Sequence, residues 1–224
     1  MISEAESLPA IEIEASSAPK YAIIWLHGLG ADGHDFVPII DQLEISGASV
    51  RFIFPHAPVR AITINNGHQM RAWYDITRLD FADREDIWGI HQSRLAIDKL
   101  ITRELSRGIR AEHIFLAGFS QGGAMALYVG LRQSHTLAGI IALSCYLPIA
   151  ESLASEISNA NALIPVFWSH GIYDSVIPIQ YAIKTKAMAT TARCNIEWHE
   201  YQMEHSVCQQ EVVDLGNWLK SRMI

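Results

Sequence analysis

Apolar residues recur along this chain in two different spacings, and the alternation between them predicts its elements. The run from Tyr21 to Leu26 is continuously apolar and stops at His27-Gly28-Leu29-Gly30. A short run ended by glycines reads as a strand buried on both faces. The same pattern recurs at 50–54, 113–117, 139–143, 164–168 and 195–199, while 11–14 alternates apolar and acidic residues like an edge strand. Between these runs, helical spacing predicts helices over 36–43, 90–105, 122–131, 179–189 and 207–219. In the last of them Val207, Glu211, Val212, Leu215, Trp218 and Leu219 fall on one stripe.

Strands alternating with helices predict an α/β fold, a mostly parallel twisted sheet with helices on both faces. Ligands in such open sheets bind beyond the carboxyl ends of the strands. The chemistry is therefore expected just after each apolar run. Residues 1–10 fit neither spacing and are expected to form a loose N-terminal segment ahead of a single domain over 11–224. The stretch 55–89 breaks the alternation, with Pro55, Pro58, Asn65, Asn66 and Gly67 followed by Trp73, Tyr74, Phe81 and Trp88. A long insertion without periodicity in a compact domain is usually functional.

Gly118-Phe119-Ser120-Gln121-Gly122 lies where the strand at 113–117 gives way to the helix at 122–131. A Gly-x-Ser-x-Gly motif in a strand–turn–helix context lifts a serine hydroxyl out of the sheet. The following helix N-terminus adds positive partial charge where an oxyanion would form. The bland alternative is a tight glycine turn with an idle serine.

A serine hydroxyl is a weak nucleophile near neutral pH. It needs a histidine base, and the base needs an acid to hold its tautomer. After Ser120 the histidines are His135, His170, His199 and His205. His135 lies at the wrong end of the helix after the motif, His170 precedes the best acid, and His199 falls inside an expected strand. His205 lies in a loop at a carboxyl edge and is the expected base. Asp174, in the loop after the run at 164–168, is the expected acid. Asp214 lies on the final helix and reads as a solvated position, and Glu204 adjoins His205 too closely to aim at it. The oxyanion would take the backbone amides of Gln121 and Leu29, the latter from the glycine-rich loop after the first buried strand. Neither a Walker pattern nor GxGxxG is present, so that loop does not read as a phosphate cradle.

The 224 residues are 50% hydrophobic and 18% charged, with formal net charge −7. Nothing in that balance would track nucleic acid or dock on an anionic membrane by charge. The first ten residues lack the basic and apolar regions of a secretory signal, and no apolar run reaches the length of a membrane span. Cys145, Cys194 and Cys208 form neither a disulfide framework nor a CxxC metal site, and they suit a reducing, cytoplasmic compartment.

With these pieces assembled, the sequence resembles the phospholipase/carboxylesterase family of the α/β-hydrolase fold, and within it the bacterial carboxylesterases related to acyl-protein thioesterases. The matching segments are LHGLGADGHDF at 26–36, FPHAP at 54–58, MRAWYDI at 70–76, GFSQGGAMAL at 118–127, ALSCYLP at 142–148, HGIYDSVIP at 170–178 and MEHSVCQQE at 203–211. The resemblance implies Ser120, Asp174 and His205 as catalytic triad, Leu29 and Gln121 as oxyanion amides, and no separate lid domain. It implies short-to-medium acyl esters or thioesters as substrates, with lysophospholipid or S-acyl cysteine hydrolysis in some members, peripheral contact with lipid substrates, and a homodimer. No metal or organic cofactor is implied. Trp73, Leu79, Ile87 and Trp88, from the 55–89 insertion, are expected to line an apolar acyl groove. Cys145 stands where the family often has glycine, and a local packing change is expected there. The rival readings are a non-catalytic binding protein on the same fold, which would have lost a triad or oxyanion position, and a peptidase or lactone hydrolase.

Overall fold

The apolar runs become strands. The computed structural model describes residues 7–14, 18–45, 47–78 and 85–223. In chain order the strands are β1 (Ala10–Glu14), β2 (Tyr21–Leu26), β3 (Val50–Pro55), β4 (Val59–Ile62), β5 (His68–Arg71), β6 (Ile114–Phe119), β7 (Gly139–Leu143), β8 (Pro165–Gly171) and β9 (Asn195–Tyr201). The helices are α1 (Ile39–Gln42), α2 (Ile87–Ser106), α3 (Gln121–Arg132), α4 (Leu153–Glu156), α5 (Ile179–Thr191) and α6 (Gln209–Lys220). One sheet runs β1-β3-β2-β6-β7-β8-β9, parallel except for β1, and β4 and β5 form a separate antiparallel hairpin.

Two cores explain why the central strands read as unbroken apolar runs. Ala22, Ile24 and Leu26 of β2 face one core, built with Ile90, Ile97 and Leu100 of α2 and Ala124, Met125 and Leu127 of α3. Tyr21, Ile23 and Trp25 face the other, with Ile39 of α1 and Val212, Leu215, Trp218 and Leu219 of α6. From β2 the chain winds to β3 on one side, then to β6 through β9 on the other. The winding therefore reverses between β2 and β6, the place where open α/β sheets hold their ligands.

Several elements depart from expectation. β6, β8 and β9 run two or three residues past their apolar runs, through pairs such as His170↔Glu200 and Gly171↔Tyr201. Hydropathy marks which side chains are buried, whereas a ladder needs only backbone. The helix expected at 36–43 contracts to the four residues of α1. The residues before it form turns whose amides bond three residues back, as Val37 does to His34, and Pro38 has no N–H to give. Nor are residues 8–10 loose: Leu8 and Ala10 pack on the first core and the Pro9 carbonyl accepts from the His56 amide.

The edge strand is held by charge as well as by its ladder. Arg51 of β3 donates to Glu14 of β1 at 2.9 Å and to the buried Glu104 of α2 at 2.7 Å. Arg107 reaches Glu12 at 2.6 Å and Glu14 at 2.9 Å.

Candidate active site

Ser120 stands between β6 and α3 with φ 54° and ψ −122°, a positive-φ conformation that is unusual for a residue with a Cβ. Its surroundings fix that strain. A Cβ on Gly118 would collide with the backbone of Gly122, and one on Gly122 with the carbonyl of Leu26. The Ser120 amide bonds to the Leu143 carbonyl of β7 at 2.8 Å and its carbonyl accepts from Ala124, so the turn is closed on both sides. The hydroxyl is left at the end of the sheet, above the first turn of α3.

Two loops from the carboxyl edge converge on it. His205, in the loop between β9 and α6, lies with Nε2 2.9 Å from Ser120 Oγ and Nδ1 2.7 Å from Asp174 Oδ2. Asp174, just after β8, is buried, and its Oδ1 accepts the amides of Val176 at 2.9 Å and Ile177 at 2.8 Å. Burial by itself would raise the Asp174 carboxyl. Hydrogen bonds from His170, His205 and the Ile177 amide outweigh it and hold the group well below the usual carboxylate range. The carboxylate therefore stays charged, and it holds the His205 proton on Nδ1, leaving Nε2 free to accept from the hydroxyl.

Leu29 and Gln121 both border the space in front of Ser120. Gln121 is the first residue of α3, so its amide has no carbonyl partner within the helix. Its side chain bonds elsewhere, with Oε1 accepting from the Trp73 amide at 2.8 Å and Nε2 donating to the Tyr74 carbonyl at 2.7 Å. The glycine-rich loop is tied to the same segment. Trp73 Nε1 donates to the His27 carbonyl at 2.9 Å, and the Gly30 amide donates to the Arg71 carbonyl at 2.9 Å. His27 Nε2 accepts from the Ala57 amide at 3.0 Å while Nδ1 donates to the Gly28 carbonyl at 2.7 Å. Burial lowers the basicity of that ring, in keeping with a neutral tautomer.

A cavity of about 370 Å³ opens in front of the serine, walled by Ile64, Tyr74, Ile76, Phe119, Tyr146, Val176 and Ile177. Of the residues expected to line an acyl groove, Trp73, Ile87 and Trp88 are not among its walls. Trp73 is fully buried beneath the glycine-rich loop, where it braces the backbone and does not face the cavity. Ile87 and Trp88 are 53% and 72% exposed, because the inward face at the start of α2 is taken by Gly89 and Ile90. Leu79 lies outside the described residues. Sequence reasoning misses Tyr146 and the Val176–Ile177 pair. A signal for them exists, since each follows a strand at the carboxyl edge and the loop carrying the acid has to pass the nucleophile. The Cys145 sulfur packs against Gly123 in the core.

Residues 8–223 match the family model for phospholipase/carboxylesterase. The chain belongs to that family. It is 36% identical to an acyl-protein thioesterase 1 of Cryptococcus neoformans, covering 95% of this chain and 97% of the relative. It is 34% identical to an acyl-protein thioesterase 1 of Yarrowia lipolytica, covering 96% and 97%. The crystal structure of Arabidopsis thaliana SOBER1 superposes with a TM-score of 0.86 at 30% identity, covering 91% of this chain and 99% of that one. These sequence relatives are fungal and do not support the bacterial branch. The matching motifs surround the site, and residues that shape a shared site carry little information about branch. Among the described residues no helix is long and apolar enough to cross a membrane.

Proposed function

We propose that this member of the phospholipase/carboxylesterase family hydrolyses acyl esters or thioesters through an acyl-Ser120 intermediate. One observation carries the reading: an unbroken hydrogen-bonded line from Asp174 through His205 to a strained Ser120 that faces an apolar cavity. In this mechanism His205 Nε2 takes the hydroxyl proton as Ser120 Oγ attacks the acyl carbon. The amides of Leu29 and Gln121 receive the oxyanion, assisted by the N-terminus of α3. His205 then passes the proton to the leaving alcohol or thiol, and afterwards activates the water that releases the acid. Trp73 and the Gln121 side chain hold the oxyanion loop and the cavity wall in register.

The names of the fungal relatives favour a thioester of an acylated protein as one substrate. The cavity suits it, since Ile172, Tyr173 and Val176 form an exposed apolar rim on the Asp174 loop. Contact with lipid substrates, or pairing of two copies, would fall on the same rim. The unpaired thiols of Cys145, Cys194 and Cys208 support a cytoplasmic location.

The test is intact mass after exposure to a fluorophosphonate, with Ser120→Ala treated alongside. A single adduct on the parent protein that is absent from the variant is the expected result. No adduct on folded protein, or an adduct that survives the substitution, overturns the assignment.

A further inference from the structure

His170 is fully buried at the end of β8 and has no part in the proton path from Ser120. Its Nε2 lies 2.8 Å from the Ile177 carbonyl and 3.3 Å from Asp174 Oδ2. Both neighbours are acceptors, so Nε2 carries the proton and shares it between them. Nδ1 is buried with no hydrogen-bond partner among the described residues, so a proton there would be an unsatisfied donor. The ring lies near-parallel to Trp198 of β9, with centroids 6.4 Å apart.

From this arrangement the geometry points to His170 as a positioning residue that closes the Asp174 loop and supplies the carboxylate with a side-chain donor in addition to His205. The contacts form a small ring. The Ile177 amide donates to Asp174 Oδ1, the Ile177 carbonyl accepts from His170, and His170 also faces Asp174 Oδ2, the oxygen that orients His205. Ile177 in turn walls the cavity. One imidazole therefore ties the acid's orientation to the acyl wall. The charged groups around it are Asp174 and His205 on the site side and Glu211 of α6 behind it. Glu200 stands opposite in the ladder with Oε1 taken by Trp198 Nε1, and Lys186 of α5 lies over the Trp198 ring.

The inference rests on Asp174 being the acid, and the test separates the two. His170→Met keeps bulk and removes the donor, whereas His170→Gln returns an N–H to the Nε2 position. Releasing the Asp174 loop misaligns His205 on Ser120, and a misplacement of about 1 Å predicts a fall in kcat of roughly tenfold to a hundredfold for His170→Met, with KM little changed. The acidic limb of kcat/KM should move to higher pH, because a carboxylate with one donor fewer holds the His205 imidazolium more tightly. His170→Gln should keep the parent pH profile and most of kcat. A 15N spectrum of the parent protein needs no variant and should place the His170 proton on Nε2 with Nδ1 bare. A proton on Nδ1, or Met and Gln variants with indistinguishable profiles, overturns the inference. If Asp174→Asn is itself without effect, the assignment of the acid fails instead.

Discussion

At the scale of single residues, Asp174 is the position where the smallest chemical change has the largest expected effect. Asp174→Asn keeps the shape and can keep the two amide bonds to Oδ1, but it no longer obliges His205 to carry its proton on Nδ1. We expect kcat to fall by about 10³–10⁴-fold with little loss of thermal stability, measured by steady-state kinetics beside a melting curve. A variant within tenfold of the parent would remove Asp174 from the mechanism. Ser120, Asp174 and His205 are legible in the sequence because each follows a strand at the carboxyl edge and each is a residue type that this chemistry requires. Trp73, Ile87 and Trp88 mislead for the opposite reason. A large apolar side chain serves a core, a brace or a groove equally well, and only its neighbours decide which.

At the scale of elements, the edge strand β1 offers a contrast between buried and exposed charge. Glu104 is fully buried and bonded to Arg51, itself only 6% exposed, so Glu104→Ala strands a guanidinium that retains Glu14 alone. Denaturant unfolding should register a loss of about 3 kcal/mol. Arg107→Ala removes part-exposed pairs to Glu12 and Glu14 and a 3.2 Å bond to Glu104, but Glu104 keeps Arg51 at 2.7 Å, so the cost should be smaller, about 1 kcal/mol. Equal losses for the two would mean that the clasp works as one network. The strands and long helices are legible from periodicity, whereas the β4–β5 hairpin is not. Its strands have four residues each and are largely exposed, so they leave no apolar alternation to read, although Asn66 and Gly67 at its turn do take positive φ.

At the scale of the whole molecule, a buried carboxyl and a half-buried one set a pH dependence of stability. Burial pushes Glu211 up to about 7, partly offset by the Ser169 hydroxyl at 2.5 Å, and burial likewise pushes Glu85 up to about 7. A carboxyl raised on folding favours the protonated state. Its contribution is complete below the ordinary value of 4.5 and is lost as pH rises through about 7. Asp174, held low, has the opposite sign, and its contribution is lost progressively as pH falls below the ordinary value of 3.8. The melting temperature should therefore decline between about pH 5 and pH 8. Glu211→Gln should flatten that decline, matching the parent near the acid end and exceeding it at the alkaline end by up to about 3 kcal/mol. A variant that melts lower than the parent at both ends would show that the carboxylate is needed charged.

The order of the main-sheet strands and long helices, the two-sided burial of the central sheet, and the three residue types placed at strand ends are all written in the chain itself. They follow from local spacing and from chemistry that tolerates few substitutes. Which strands are neighbours is a matter of the folded molecule alone, and that choice puts the end of β2 beside the end of β6, where the glycine-rich loop meets Ser120. Folding also selects which apolar side chains wall the cavity, and it lays His170, unsuited by its chain position to be the base, against the acid. Such contacts join residues distant in the chain, and hydropathy records whether a side chain is buried without recording what it is buried against.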